Sequence, residues 1–168
     1  MTGLEKTNMP SQAKGFSLLF RDFKIIEISF KLNPDYKGWE NEAKGWQGVP
    51  FEHDSEFELA HAFNEQEKTL RVRLSINMIA KNAPYNATVK GVGLFSLTEV
   101  SEQKQIDSIA RINCAAIVFP YIRETIADII RRAGFPTLHI QPVNFVKLYN
   151  EFVVSRKEVV SRKENEKE

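Results

Sequence analysis

Only one cysteine, Cys114, occurs in this chain of 168 residues, so no internal disulfide can form; that usage suits a reducing compartment. No apolar run reaches the roughly 18 residues that a membrane-spanning helix requires. The opening MTGLEKTNMPSQAKG lacks the apolar stretch of a secretion signal, so the protein is expected to stay in the cytoplasm where it is made. Neither sign of charge is in excess: 23 basic side chains face 22 acidic ones, for a net charge of +1. That balance excludes the concentrated basic footprint of a nucleic-acid binder. GxSxG, Walker and GxGxxG motifs are all missing. His53, His61 and His139 are scattered without metal-ligand spacing. Cys114 precedes Ala115, Ala116 and Ile117 and reads as a buried, inert thiol. Asp54, Glu56 and Glu58 alternate along one strand face, the pattern of a solvated acidic stripe rather than a hydrolytic pair. Asn86-Ala87-Thr88 forms a glycosylation sequon, idle without secretion. With no catalytic constellation, the chain is expected to be no enzyme and to carry no cofactor or metal.

What is present is apolar and aromatic. The apolar fraction is 42%, enough for the core of one domain, and 12 residues are phenylalanine. That many rings can fill a core or line a surface that grips apolar segments. Residues 1–15 are polar, and a flexible tail is expected there. Phe16 to Phe20 fits an early strand or a helix. Phe23 to Leu32 reads as a strand with Ile26, Ile28 and Phe30 on one face and Glu27, Ser29 and Lys31 on the other. Asn33-Pro34 ends it. Asp35 to Pro50 is punctuated as a loop, yet holds Tyr36 and both tryptophans, Trp39 and Trp46. These rings either tuck under the loop and anchor it or wall a groove.

Three more strands follow. Phe51 to Phe63 shows Phe57 and Leu59 in alternation. Leu70, Val72, Leu74, Ile76 and Met78 point one way while Arg71, Arg73, Ser75 and Asn77 point the other. Asn64 to Lys68 joins these two strands as a hairpin, and Asn82-Ala83-Pro84 turns into a last strand, Tyr85 to Thr98. There Val92 and Leu94 oppose Gly91, Gly93 and Phe95, so both faces are partly apolar and each should pack against something. One face suits the chain's own helix and the other a partner subunit; Val92 and Leu94, with Ile109 and Ile112 from the helix, are the candidate oligomer interface. The glycines admit a close backbone or a bulky ring.

Helix begins near Ser101, with Ile106, Ile109 and Ile112 at helical spacing. Pro120 should kink or break it, since proline disturbs an interior turn by roughly 3 kcal/mol. Arg131 and Arg132 suit a last turn, Gly134 a C′ position, and Pro136 blocks continuation. Asn144 can cap a second helix from Phe145, on which Phe145, Leu148, Tyr149 and Phe152 form one stripe. VVSRKE occurs at 153–158 and again at 159–164, read as a duplication in a flexible charged tail over 155–168 whose first copy can extend the helix.

The sequence FPYIRE at 119–124, then GFP at 134–136 with Leu138, then PVNF at 142–145 followed by Leu148, resembles the SecB export-chaperone family, where the stretch reads FPYAREC and GTFPQLNLAPVNF. Glu27-Ile28-Ser29-Phe30 is similar to the family's DISF, and Gly93-Leu94-Phe95-Ser96 to its GIFS. The likeness spans Phe16 to Phe152, and a chaperone domain over 16–154 is expected.

The resemblance implies an α+β fold: a four-stranded antiparallel sheet with a long helix and a C-terminal helix on one side, assembling as a dimer of dimers. It implies an ATP-independent holdase that binds unfolded polypeptides in apolar grooves, either preproteins for export or an antitoxin. Candidate groove residues are Phe30, Tyr36, Trp39, Trp46, Phe145, Leu148, Tyr149 and Phe152. The family docks its motor partner SecA through acids on the sheet. Glu27 keeps one, while Lys31 and Thr88 depart from the acidic pattern, which weakens electrostatic docking. A carrier of an apolar small ligand, or a SecB-fold protein with a non-chaperone interaction role, uses the same surface and stays open as an alternative.

Overall fold

Leu70, Val72, Leu74, Ile76 and Met78 are all buried, and the alternating partners Arg71 and Arg73 are exposed, so the strand bearing them has one wet and one dry face. It is the third of four strands in the computed structural model, which describes residues 15–165, with side chains placed as far as Arg156. These are β1 (Ser17–Leu32), β2 (Glu52–Asn64), β3 (Thr69–Asn82) and β4 (Tyr85–Thr98). They form one antiparallel sheet in the order β1-β4-β3-β2, so β1 and β2 are its edges. The two expected hairpins join β2 to β3 and β3 to β4. In the first, the Asn64 carboxamide accepts from the amides of Gln66 and Glu67 at 3.0 and 3.1 Å, so the turn is built by its own side chain.

The segment Phe16 to Phe20 resolves as strand rather than helix from Ser17 onward, where β1 starts. Two register shifts, between Phe20 and Asp22 and between Ile25 and Glu27, bend this edge strand. The second corrects the expected face of Ile26. Ile28 and Phe30 pair with the buried Val89 and Ala87, whereas Ile26, the extra residue, lines a depression on the opposite face with Arg71 and Val92. A bulge inverts alternation locally, which period-two reading cannot register.

Helix covers the dry face from Gln103 to Arg132 as α1 (Gln103–Ser108), a π-helical stretch over Ile109–Cys114, and α2 (Ala115–Arg132). The expected break at Pro120 is absent: α2 runs through it. Pro120 and the residue four before it, Ala116, are both exposed, so the carbonyl that loses its partner faces water. The irregularity lies upstream, in the π stretch. Its wider turn keeps Ile106, Ala110, Cys114 and Val118, each four apart, on the buried face and leaves Ile112 only half-buried. Close seating needs two glycines: a Cβ at Gly91 would lie 2.6 Å from the Phe23 ring, and one at Gly93 2.6 Å from Val118 Cγ2.

The helix ends as expected. Gly134 adopts φ of 88°; the Phe135 amide donates to the Ile130 carbonyl at 3.2 Å and that of Gly134 to Arg131 at 3.1 Å, a Schellman motif with Phe135 and Ile130 both buried. After a connection over 135–144, Asn144 caps α3 (Phe145–Asn165), its Oδ1 accepting from the Lys147 amide at 3.0 Å. α3 continues past position 154, where a tail was expected to begin, through the first VVSRKE copy and into the second, whose Arg, Lys and Glu are good helix formers. The N-terminal tail read from the sequence lies outside the described residues but for Gly15.

Candidate functional site

β2 has a neighbour on one side only, so its other backbone edge is unpaired within the described fold. Its inward side chains His53, Phe57, Leu59 and His61 are half-buried. Over them pass the connection after Phe135 and then α3. Three depressions lie in line beneath this cover. The first, about 540 Å³, is walled by Phe51, Phe57, Met78, Leu138, Ile140 and Val143, with His53 in its lining. The second, about 170 Å³, lies between Phe57, Leu59 and Leu74 of the sheet and Phe145, Leu148, Tyr149 and Phe152 of α3. The third, about 590 Å³, takes in His61, Asp107, Arg111, Tyr149, Phe152 and Arg156. Phe57 is shared by the first two, and Arg111, Tyr149 and Phe152 by the second and third. Together they make one trough along the free edge of β2; Glu52, Lys81, His139 and Gln141 share the Leu138 end with its apolar wall, and Asp107, Arg111 and Arg156 mark the other end.

Polar groups anchor the two ends. At the Arg156 end His61 Nε2 donates to Asp107 Oδ1 at 2.8 Å, and Arg111 Nε donates to the same oxygen at 2.9 Å, tying β2 to the long helix. Burial alone would raise the Asp107 carboxyl; the hydrogen bonds from His61 and Arg111 outweigh it and hold the group below the usual carboxylate value. The Arg111 guanidinium lies 3.9 Å from the Phe152 ring centre, a cation–π contact that clips α3 to the long helix, while Arg156, on α3 itself, lies 4.8 Å from the same ring. At the other end His53 Nε2 donates to the Tyr85 carbonyl at 3.0 Å, its ring 4.8 Å from that of Tyr85. Burial lowers the His53 pKa against the opposing pull of that carbonyl. Cys114 is buried in the helix, its thiol pushed up to about 12 by desolvation, which removes its nucleophilic form. No group of three metal-ligating side chains occurs among the described residues.

The helical stripe Phe145, Leu148, Tyr149 and Phe152 is brought together in the trough. Tyr36, Trp39 and Trp46 do not line it. Tyr36 and Trp46 are buried beneath the β1–β2 loop, packed on each other, on Trp39 and on Phe51, and Trp46 also meets Phe135 at 5.5 Å. They hold up the trough's end wall from behind, through Phe51. Phe30 stands behind it too, stacked on Tyr85 at 5.2 Å. The four interface candidates fall on different surfaces. Val92 and Leu94 sit half-buried on the helix-free face, Ile112 on the helix, and Ile109 is corrected to the protomer's own core, where the π stretch turns it inward. Glu27 is paired with Lys90 at 2.8 Å, Lys31 is exposed and Thr88 half-buried, all on the helix-free face. Sequence reasoning overlooked Phe51, Phe57, Leu59, Leu138 and Ile140 as site residues. Alternation marked Phe57 and Leu59 as strand, but only the position of β2 at the sheet edge makes their face a trough.

Comparison with known proteins agrees with this architecture. The family described as preprotein translocase subunit SecB matches residues 49–156. The protein-export protein SecB of Methylobacillus flagellatus is 44% identical over 71 residues, 42% of this chain and 45% of that protein. That of Stenotrophomonas maltophilia is 39% identical over 95 residues, 56% of this chain and 54% of that protein. The chain thus spans about half the length of these curated relatives. A SecB-like chaperone of Mycobacterium tuberculosis, solved in complex with a ChAD peptide from the HigA1 antitoxin, superposes with a TM-score of 0.61 at 21% identity, covering 75% of this chain and 90% of that one, which shows the shared fold.

Proposed function

The chain belongs to the SecB family, and on that footing we propose that it is an ATP-independent holdase that keeps unfolded polypeptides soluble by binding them along the trough beside β2. The observation that carries this reading is the trough itself: apolar walls lie next to an unpaired strand edge. Apolar walls reward any exposed hydrophobic segment without demanding a sequence, and an unpaired edge supplies backbone hydrogen bonds that every polypeptide can accept. Such a protein acts by binding the unfolded state; neither catalysis nor a cofactor enters the reading. A functional unit over 16–154, working in the cytoplasm, is part of the same proposal; no described helix is long and apolar enough to cross a membrane. Light scattering during refolding of an unrelated denatured protein tests it. Suppression of aggregation at near-stoichiometric ratios is expected; a carrier of apolar small ligands would leave the signal unchanged.

Between an exported preprotein and an antitoxin as client, the helix-free face favours the antitoxin. Its one retained family acid, Glu27, is neutralised by Lys90, and Lys31 brings the opposite charge. Loss of the family's acids at these positions weakens electrostatic docking of SecA.

Self-association into a tetramer belongs to the same reading. Ile28 and Leu32, both on edge strand β1, are each more than half exposed. A second copy laid along that edge would pair the free backbone and cover these side chains, stabilising at about 25 cal/mol per Å² of apolar area buried. Sedimentation at micromolar concentration should show a species larger than the protomer, lost in Ile28→Lys; a wild-type monomer would reject the assembly.

A further inference from the structure

The helix-free face of the sheet carries a pattern that the trough does not use. Register sorts it into rows. Asp22, Leu94, Arg71 and Ala62 form one, Lys24, Val92, Arg73 and Ala60 the next, and Glu27, Lys90, Ser75 and Glu58 a third. Lys24 reaches Asp22 at 3.5 Å and Lys90 holds Glu27 at 2.8 Å. Arg71 and Arg73, both exposed, have no carboxylate within ion-pair distance among the described residues. Beside them Ile26, Val92 and Leu94 form the floor of two adjoining depressions of about 280 and 390 Å³ that share Ile26, Arg71 and Val92. Unpaired guanidinium groups over an apolar floor are a surface with something left to bind.

We propose that this face is a second docking surface, for an extended acidic segment of another protein with carboxylates at alternating positions and apolar residues flanking them. Arg71 and Arg73 are two apart on one strand, so they repeat at roughly 6.8 Å, the spacing of alternate side chains in any extended partner. Guanidinium groups grip carboxylates in a planar, two-pronged fashion that also fixes orientation. Asp22, Glu27 and Glu58 border the arginines, so a partner's acids must be discrete and aligned on Arg71 and Arg73 to avoid them. The chain's own ends do not supply the segment: residues 1–14 hold Lys6 and Lys14 against Glu5, and the repeats after Phe152 mix both signs. Pairing of copies along the β1 edge extends the sheet and leaves this face open.

Fluorescence anisotropy with a labelled peptide, two alternating glutamates flanked by leucines, tests the assignment. Saturable binding is expected at low salt, weakening as salt rises. The Arg71→Glu/Arg73→Glu protein should bind about tenfold or more weakly, with Arg71→Gln/Arg73→Gln intermediate, and circular dichroism unchanged in both. Leu138→Glu/Leu148→Glu in the trough should leave this affinity intact, which separates the face from the holdase reading. Unchanged affinity in the arginine variants overturns the proposal, as does loss of binding in the trough variant. Equal binding of a lysine-for-glutamate peptide, or of a single-stranded oligonucleotide, overturns it too.

Discussion

A protein carrying Leu138→Glu and Leu148→Glu will fail to hold a denatured client in solution, while its circular dichroism and thermal transition stay close to those of the parent. Leu138, half-buried in the first depression, packs on the margin of the core, and Leu148 is 39% exposed in the second, so neither is a fully buried core residue. Their apolar surface is available to a guest. Covering a leucine contributes roughly 1.5–3 kcal/mol when complete, and burying a carboxylate in its place is unfavourable. Loss at both positions should weaken client binding by about a hundredfold or more, a drop that 2.8 kcal/mol or so of lost contact accounts for. Aggregation suppression would vanish at ratios where the parent is fully protective. Retention of full activity would place the client elsewhere. Trp46→Ala is expected to differ in kind: it removes a buried ring behind the wall, so stability falls together with binding.

Gly93→Ala will destabilise the fold by about 1–3 kcal/mol, the usual penalty of overpacking. The added methyl would sit 2.6 Å from Val118 Cγ2 and 2.7 Å from Phe95 Cε2, and both side chains are fully buried. The helix cannot back away without opening the core over β3 and β4. Thermal melts should register a loss of roughly 2–4 °C for each kcal/mol in a chain of this size. Val118→Ala removes one of the two obstructing groups, so the double variant should be less destabilised than the two single effects added together. A coupling of about 0.5–3 kcal/mol is expected from urea titrations of the four proteins. Strict additivity would contradict the close approach of α2 to β4.

Local chemistry was readable in the chain, and non-local geometry was not. The hairpin at Asn64, the Schellman ending at Gly134 and the Asn144 cap each depend on a few neighbouring residues, and each appears where the residues indicate. The bulges of β1 and the π stretch of the long helix are departures from regular geometry, so alternation placed Ile26 on the wrong face, and Ile109, assigned to an oligomer interface, is in the core. Pro120 was expected to kink or break the helix; no break occurs, because solvent at Ala116 satisfies what the ring displaces. The aromatic loop shows a deeper ambiguity. Tyr36, Trp39 and Trp46 are as apolar when supporting a wall as when forming one, and composition cannot tell the two apart. The α3 stripe was legible because helical spacing alone brings Phe145, Leu148, Tyr149 and Phe152 together. Its counterpart, Phe57 and Leu59, lines the trough only through the edge position of β2.

Amide hydrogen exchange of the protein with and without a bound unfolded polypeptide tests the central claim most directly. Slowed exchange is expected along β2 from Glu52 to Asn64 and across Leu138 to Phe152, with the sheet's interior strands unchanged. Protection confined to other segments, with β2 and the start of α3 exchanging as they do in the free protein, would contradict a client lying along that edge.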